Sequence, residues 1–178
     1  FSIVINCLPN TCLLDLTSAA ATSNQTICIG NPIQNITYSF GDDATSVTVT
    51  GLPTGLTTNI SSGVLTISGT PTQTGTFNYQ VETVGCTPSL TKQGTIKVNP
   101  IPSFTSLTSN TPICQGANAV FTLKGTANGV VSYTINGGTA QTVTLDTHGD
   151  ATVTISAPTA DVTVLVSSIA VGTCSTTS

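Results

Sequence analysis

GLPTGLTTNISSGVLTISGTPTQTGTFNYQV, residues 51–81, is cut into short runs by turn-forming residues. The punctuation is GLPTG at 51–55, SSG at 61–63 and TPTQTG at 70–75. Glycine, proline, serine and asparagine favour tight turns for separate backbone reasons, so the intervening runs read as strands near Leu56–Ile60, Val64–Ser68 and Thr76–Val84. Apolar and polar residues alternate along such runs with period two, which marks a pleated strand with one buried face. The same rhythm extends outward in both directions. On one side it predicts strands near Ile33–Phe40 and Ser46–Thr50, and on the other near Thr91–Val98. Further along, strands are expected near Ala119–Lys124, Val130–Asn136, Gln141–Leu145, Ala151–Ser156 and Val162–Ala170, with NGG at 136–138 and HGD at 148–150 as hairpin signals. Short strands at this spacing, with no helical periodicity of useful length, predict an all-β chain built as β-sandwiches.

A repeat sets the number of sandwiches. TSNQTICIG at 22–30 returns as TSNTPICQG at 108–116, 86 residues later. Each copy is followed by a further cysteine at a similar interval, Cys28 to Cys86 and Cys114 to Cys174. Matched cysteines in a repeat indicate one unit used twice, so the expected division is 22–100 and 101–178, with VNPIPS at 98–103 as a stiff join. Units of roughly 80 residues bury limited apolar area. A bridge closing about 60 residues in each, Cys28–Cys86 and Cys114–Cys174, would add roughly 4 kcal/mol.

Residues 1–21 read as a strand, a cysteine-bearing turn and a second strand, which is also how the first unit finishes. They are expected to be the terminal strands of a preceding unit. The second unit stops at Cys174 where its closing strand should begin, so that strand is expected to be missing or supplied elsewhere. Two origins fit: a slice of a longer array, or strand donation by a neighbouring subunit. Cys7 and Cys12 either bridge each other across LPNT, or Cys7 seeks a partner in the preceding unit.

Composition narrows the function. Charged residues make up 6% of the chain, with three lysines and no arginine, while there are 37 threonines. Hydroxyls and amides must therefore keep the surface wet, and β-branched threonine suits an exposed strand face. A net charge of −4 cannot build the basic patch that nucleic acid requires. The longest apolar candidate, VTVLVSSIAVG at 162–172, is too short to span a bilayer and reads as a buried strand. Six cysteines without zinc-type spacing point to an oxidising, extracellular location, so the chain is expected to be a processed form or a window of something longer.

The stretch 51–82 resembles the cadherin-like, immunoglobulin-type repeats of bacterial surface proteins through GLPTGL, SSGVLTISGTPT and TGTFNYQV. With the cysteine spacing, it is similar to the PKD-like repeats of very large secreted Bacteroidetes proteins, notably gliding-motility adhesins. NTPICQGANAVFTLKGTANGVVSYTINGG at 110–138 looks like another repeat of that kind. The resemblance implies tandem immunoglobulin-like β-sandwiches, each stapled by a disulfide, that hold a binding tip away from a cell. The calcium ligands of true cadherins are not matched.

Catalytic candidates are sparse. His148 is the sole histidine and sits in a turn, as do most of the acids, so no enzyme activity is expected. Asp42 with Asp43, and Asp146 with Asp150, are the best oxygen clusters for calcium, but carboxylates in turns usually bond local backbone. No cofactor or metal is expected. Lys124 could form an isopeptide only if buried beside an asparagine. Asn24, Asn35 and Asn59 begin glycosylation triplets. The aromatics Phe40, Phe77, Tyr79, Phe104, Phe121 and Tyr133 are expected in the core. The resulting reading is a stalk or filament segment of an exported adhesin, with gliding motility as one setting. Its partners would be neighbouring repeats and a surface polysaccharide or other cell-surface ligand. The alternatives are a carbohydrate- or receptor-binding module and a pilus-like subunit joined by strand donation.

Overall fold

The computed structural model describes residues 11–177. The chain divides between Asn99 and Pro100 into two compact units. The first contains β1 (Leu13–Leu16), a 3-10 turn at Ala20–Ser23, β2 (Asn24–Cys28), β3 (Ile36–Gly41), β4 (Ser46–Thr50), β5 (Leu56–Ser61), β6 (Val64–Gly69), β7 (Gly75–Val84) and β8 (Thr91–Asn99). One sheet runs β1-β3-β6-β5 and the other β2-β8-β7-β4. Alternation decides which side chains meet between them. Ile36, Tyr38 and Phe40 of β3, Leu65 and Ile67 of β6, Tyr79 and Val81 of β7, and Ile96 and Val98 of β8 all point inward and are buried. Each such side chain removed from water contributes about 1.5–3 kcal/mol before entropy is subtracted. The hairpin between β5 and β6 turns at Ser62 and Gly63, both at positive φ (51° and 75°), the pairing that matches the twist of a two-residue turn.

All hairpin pairs here are antiparallel, but β2 runs parallel to β8, from Asn24 opposite Thr95 to Cys28 opposite Asn99. The chain first lays β1 on one sheet, then crosses at the 3-10 turn to edge the other. Thr22 is buried at the crossing and donates its hydroxyl proton to the Ala19 carbonyl at 2.8 Å.

This corrects the expectation for residues 1–21. Leu13–Leu16 is not the end of a preceding unit: it pairs with β3, Leu14 opposite Phe40, and Leu14 lies in the first core. The strand-like run of residues 1–6 lies outside the described residues. The strand expected at Ile33–Phe40 begins only at Ile36, because residues 31–35 approach it as an extended segment tied by Ile33 N–H to the Gly69 carbonyl.

The second unit contains β9 (Phe104–Ser109), β10 (Ala119–Gly125), β11 (Val130–Ile135), β12 (Gln141–Thr144), β13 (Asp150–Ile155), β14 (Val164–Val171) and β15 (Cys174–Thr177). Its sheets run β13-β10-β9 and β12-β11-β14-β15. Phe121, Leu123, Val131, Tyr133, Leu145 and Ile169 anchor its core. Here too an expectation changes: the closing strand is not wholly missing, since Cys174–Thr177 pairs with β14 from Val171 to Ser168.

Candidate functional site

The cysteines form a different network from the one their spacing suggests. Cys12 and Cys86 are bonded, with Cα atoms 6.2 Å apart and a sequence separation of 74. Cys28 and Cys174 are each disulfide-bonded, and Cys114 is free and exposed. The expected pairs Cys28–Cys86 and Cys114–Cys174 therefore do not form, nor does Cys7–Cys12; Cys7 lies outside the described residues. Position in the fold overrides sequence interval. Cys12 stands at the entry to β1 on one sheet, and Cys86 sits in the loop joining β7 to β8 on the other. The bond thus staples the two layers of the first sandwich at one end. Asp43 steadies that end, accepting hydrogen bonds from the Thr11 N–H at 2.9 Å and its hydroxyl at 3.4 Å. A Cβ on Gly85 would lie 3.1 Å from the Asp43 carbonyl oxygen, so the acidic turn and the Cys86 loop are packed together. Asp43, weighed from sequence as a calcium ligand, acts here as a hydrogen-bond anchor for the stapled strand.

The first core holds a polar relay. Tyr79 donates its hydroxyl proton to the Ser23 carbonyl at 3.3 Å, which leaves Tyr38 to donate to the Tyr79 oxygen at 3.0 Å. Burial, reinforced by the Tyr38 hydroxyl, pushes the Tyr79 hydroxyl far above the ordinary tyrosine range and keeps it neutral. Gly94 of β8 makes room for this: a Cβ there would overlap the Tyr79 hydroxyl and the Ser23 carbonyl. Tyr79→Phe is expected to destabilise the first sandwich by about 2 kcal/mol, because both Tyr38 and Ser23 lose their partner. Tyr38→Phe removes one bond only and should cost clearly less. Urea midpoints check this, and equal losses would refute the direction of the relay.

In the second unit the titratable groups serve turns. Asp146 accepts the backbone N–H groups of Asp150 at 2.9 Å and His148 at 2.8 Å, which hold its carboxyl below the usual range. His148 is 85% exposed, 4.0 Å from Asp146. Lys124 pairs with Asp150 at 2.6 Å on the surface, so it is not the buried lysine an isopeptide needs. Among the described residues no three histidine, cysteine or acidic side chains cluster closely enough to hold a metal. Phe40, Tyr79, Phe121 and Tyr133 are core residues, while Phe77 and Phe104 are partly buried against those cores. The Asn110–Gln115 stretch and the segment entering β14 line a groove of about 670 Å³ that reaches Phe121. Sequence reading missed this groove.

No protein-family model and no curated protein matches the chain. Its backbone is similar to solved structures. A titin I-band fragment superposes with a TM-score of 0.66 at 11% identity over 94% of this chain and 63% of that one. A three-domain titin variant gives 0.67 at 11% identity, over 96% and 64% respectively. Both units are immunoglobulin-like β-sandwiches. An ICAM-5 ectodomain fragment matches at 0.51 and 11% identity, over 83% of this chain and 41% of that one. The chain thus spans less than two thirds of each of these, and at such identity the likeness is one of fold. The immunoglobulin-like pattern accounts for the crossing of β1 and β2 between sheets and for the parallel β2–β8 edge. Among the described residues no helix is long and apolar enough to cross a membrane.

Proposed function

We propose that this chain is a non-enzymatic stalk or filament segment of an exported bacterial cell-surface adhesin, gliding motility being one setting for such a stalk. The observation that carries this reading is the Cys12–Cys86 staple in one of two tandem sandwiches, since it closes a 74-residue loop. Disulfides persist in oxidising compartments, which supports an extracellular location. A surface of hydroxyls and amides, with 6% charged residues, supports a spacer more than an electrostatic binding site. The partners are then neighbouring repeats, and a surface polysaccharide or receptor would be met at a distant tip.

The mechanism is mechanical. Force entering at the ends of the chain meets a covalent stop at Cys12–Cys86, so the enclosed residues cannot be drawn out while the bond holds. Single-molecule stretching should therefore show a longer total extension with reductant than without. Opening Cys12–Cys86 contributes at most about 260 Å to that difference, from a sequence separation of 74 at roughly 3.5 Å per residue. Equal extensions in the two conditions would rule out the staple as a load stop.

A further inference from the structure

β5 (Leu56–Ser61) forms one edge of the β1-β3-β6-β5 sheet, and among the described residues no strand pairs with its outer side. The turn that ends β5 fixes its hydrogen-bonding pattern. A two-residue turn at Ser62 and Gly63 makes Ser61 and Val64 a hydrogen-bonded pair, and such pairs alternate along an antiparallel ladder. Thr57, Asn59 and Ser61 therefore direct their main-chain groups to β6, as does Gly55, whose carbonyl accepts from the Thr70 N–H at 3.2 Å. Leu56, Thr58 and Ile60 direct theirs away from β6, and the Leu56 N–H reaches only back to the Pro53 carbonyl at 3.4 Å. The side chains of these three residues face the opposite sheet, since Thr58 and Ile60 stand beside the core residues Ile67 and Leu65. Yet Ile60 is 44% exposed and Thr58 is exposed too, so this margin of the sheet overhangs its core. Exposed edges usually carry a device against pairing: a charge, a proline, a bulge or a short strand. β1 and β12 have four residues each, β13 begins at Asp150, and β9 meets β10 through a register shift. β5 has six residues in regular register with β6 and none of these devices. No charged residue lies anywhere between Asp43 and Glu82.

We propose that β5 pairs antiparallel with β5 of a second copy of the chain, about a two-fold axis at Thr58. Outward-pointing main-chain groups must meet their own kind, so Leu56, Thr58 and Ile60 can lie opposite only one another. Among the axes this allows, the one at Thr58 sets Ile60 opposite Leu56 and leaves no residue from 56 to 60 unopposed. Thr58 of each copy then exchanges N–H and C=O bonds with Thr58 of the other, and each Ile60 N–H meets the Leu56 carbonyl across the axis. Directly opposite residues share a face of the sheet. Ile60 therefore packs against Leu56 on the core side, where it covers apolar surface now in water, while Thr57 meets Asn59 on the solvent side. A two-fold axis brings every charge near it toward its own like, and the uncharged run from 44 to 81 removes that obstacle. This self-complementarity is what names a second copy as the occupant. The contact is closed, so it joins two chains side by side and makes one continuous sheet of their β1-β3-β6-β5 sheets.

The pairing does not depend on Cys12–Cys86 as a load stop, so the stretching result has no bearing on it. Sedimentation equilibrium of the full chain, carried to millimolar concentration, should show monomers in equilibrium with dimers. Thr58→Lys and Thr58→Glu each set like charges face to face at the axis and should weaken dimerisation at least tenfold. Because Thr58 is exposed and its N–H points away from β6, both variants should keep the melting curve of the parent. Thr48→Lys, at an exposed position on the β4 edge, should leave the dimer in place. Mixing the Thr58→Lys and Thr58→Glu chains should restore a dimer containing one of each, because opposite charges then meet at the axis. A parent chain that stays monomeric overturns the proposal. Association that survives Thr58→Lys, or a mixture of the two variants that stays monomeric, overturns it as well.

Discussion

Replacing Cys12 and Cys86 together by alanine lowers the stability of the first sandwich by roughly 4 kcal/mol, the loop-closure entropy that a bond spanning 74 residues withholds from the unfolded chain. For a unit of this size that corresponds to a fall in melting temperature of roughly 15–30 °C. The loss is large because the bond joins the edge strand of one sheet to a hairpin loop of the other, so no local contact substitutes for it. Cys114→Ala is the internal control: that thiol is free and exposed, and its removal should leave the melting curve in place. Calorimetry of the two variants beside the parent decides the matter. A double variant that melts with the parent would mean that packing alone closes the first sandwich.

Leu123→Ala in the second sandwich should cost about 3–4 kcal/mol, the transfer of the lost methyl groups plus the cavity left behind. Leu123 is fully buried on β10, opposite Leu107 of β9 and Ala151 of β13, so both flanking strands are pinned and cannot collapse into the space. Among the described residues, ten buried side chains form the core cluster of this unit, and Leu123 is one of them. Stabilities of small domains are of the same order as this loss, so the variant should show a large unfolded population at moderate temperature. Leu165→Ala, at 66% exposure on β14, should change stability by no more than about 0.5 kcal/mol. Denaturant titrations that ranked the two substitutions equally would mean that Leu123 is not held in a closed core.

The cores were legible in the sequence because period-two patterning is a local property. The strand expected at Ser46–Thr50 has the observed bounds, and those expected at Val64–Ser68, Thr76–Val84 and Ala119–Lys124 differ from the observed strands by one residue at an end. Less legible were β2 and β9. Asn24–Cys28 and Phe104–Ser109 are rich in threonine, serine and asparagine, and each lies at a sheet edge where little apolar patterning is demanded. The cysteine pairing was misread for a related reason. Two intervals near 60 residues looked like two identical staples, yet the first sandwich adds β1 ahead of its repeat and draws Cys86 to Cys12.

Composition and patterning alone determined that this chain is all-β, built as tandem sandwiches whose buried faces carry its aliphatic and aromatic residues. A strand's own residues encode which way its side chains point, because the pleat repeats every two residues. Only the tertiary structure decided which cysteine meets which, that Tyr38 and Tyr79 form a hydrogen-bond chain to the Ser23 carbonyl, and that the stretch after β9 and the approach to β14 line a groove. Those facts depend on the order of strands within and between sheets, and that order is set by long-range packing that no stretch of a few residues contains.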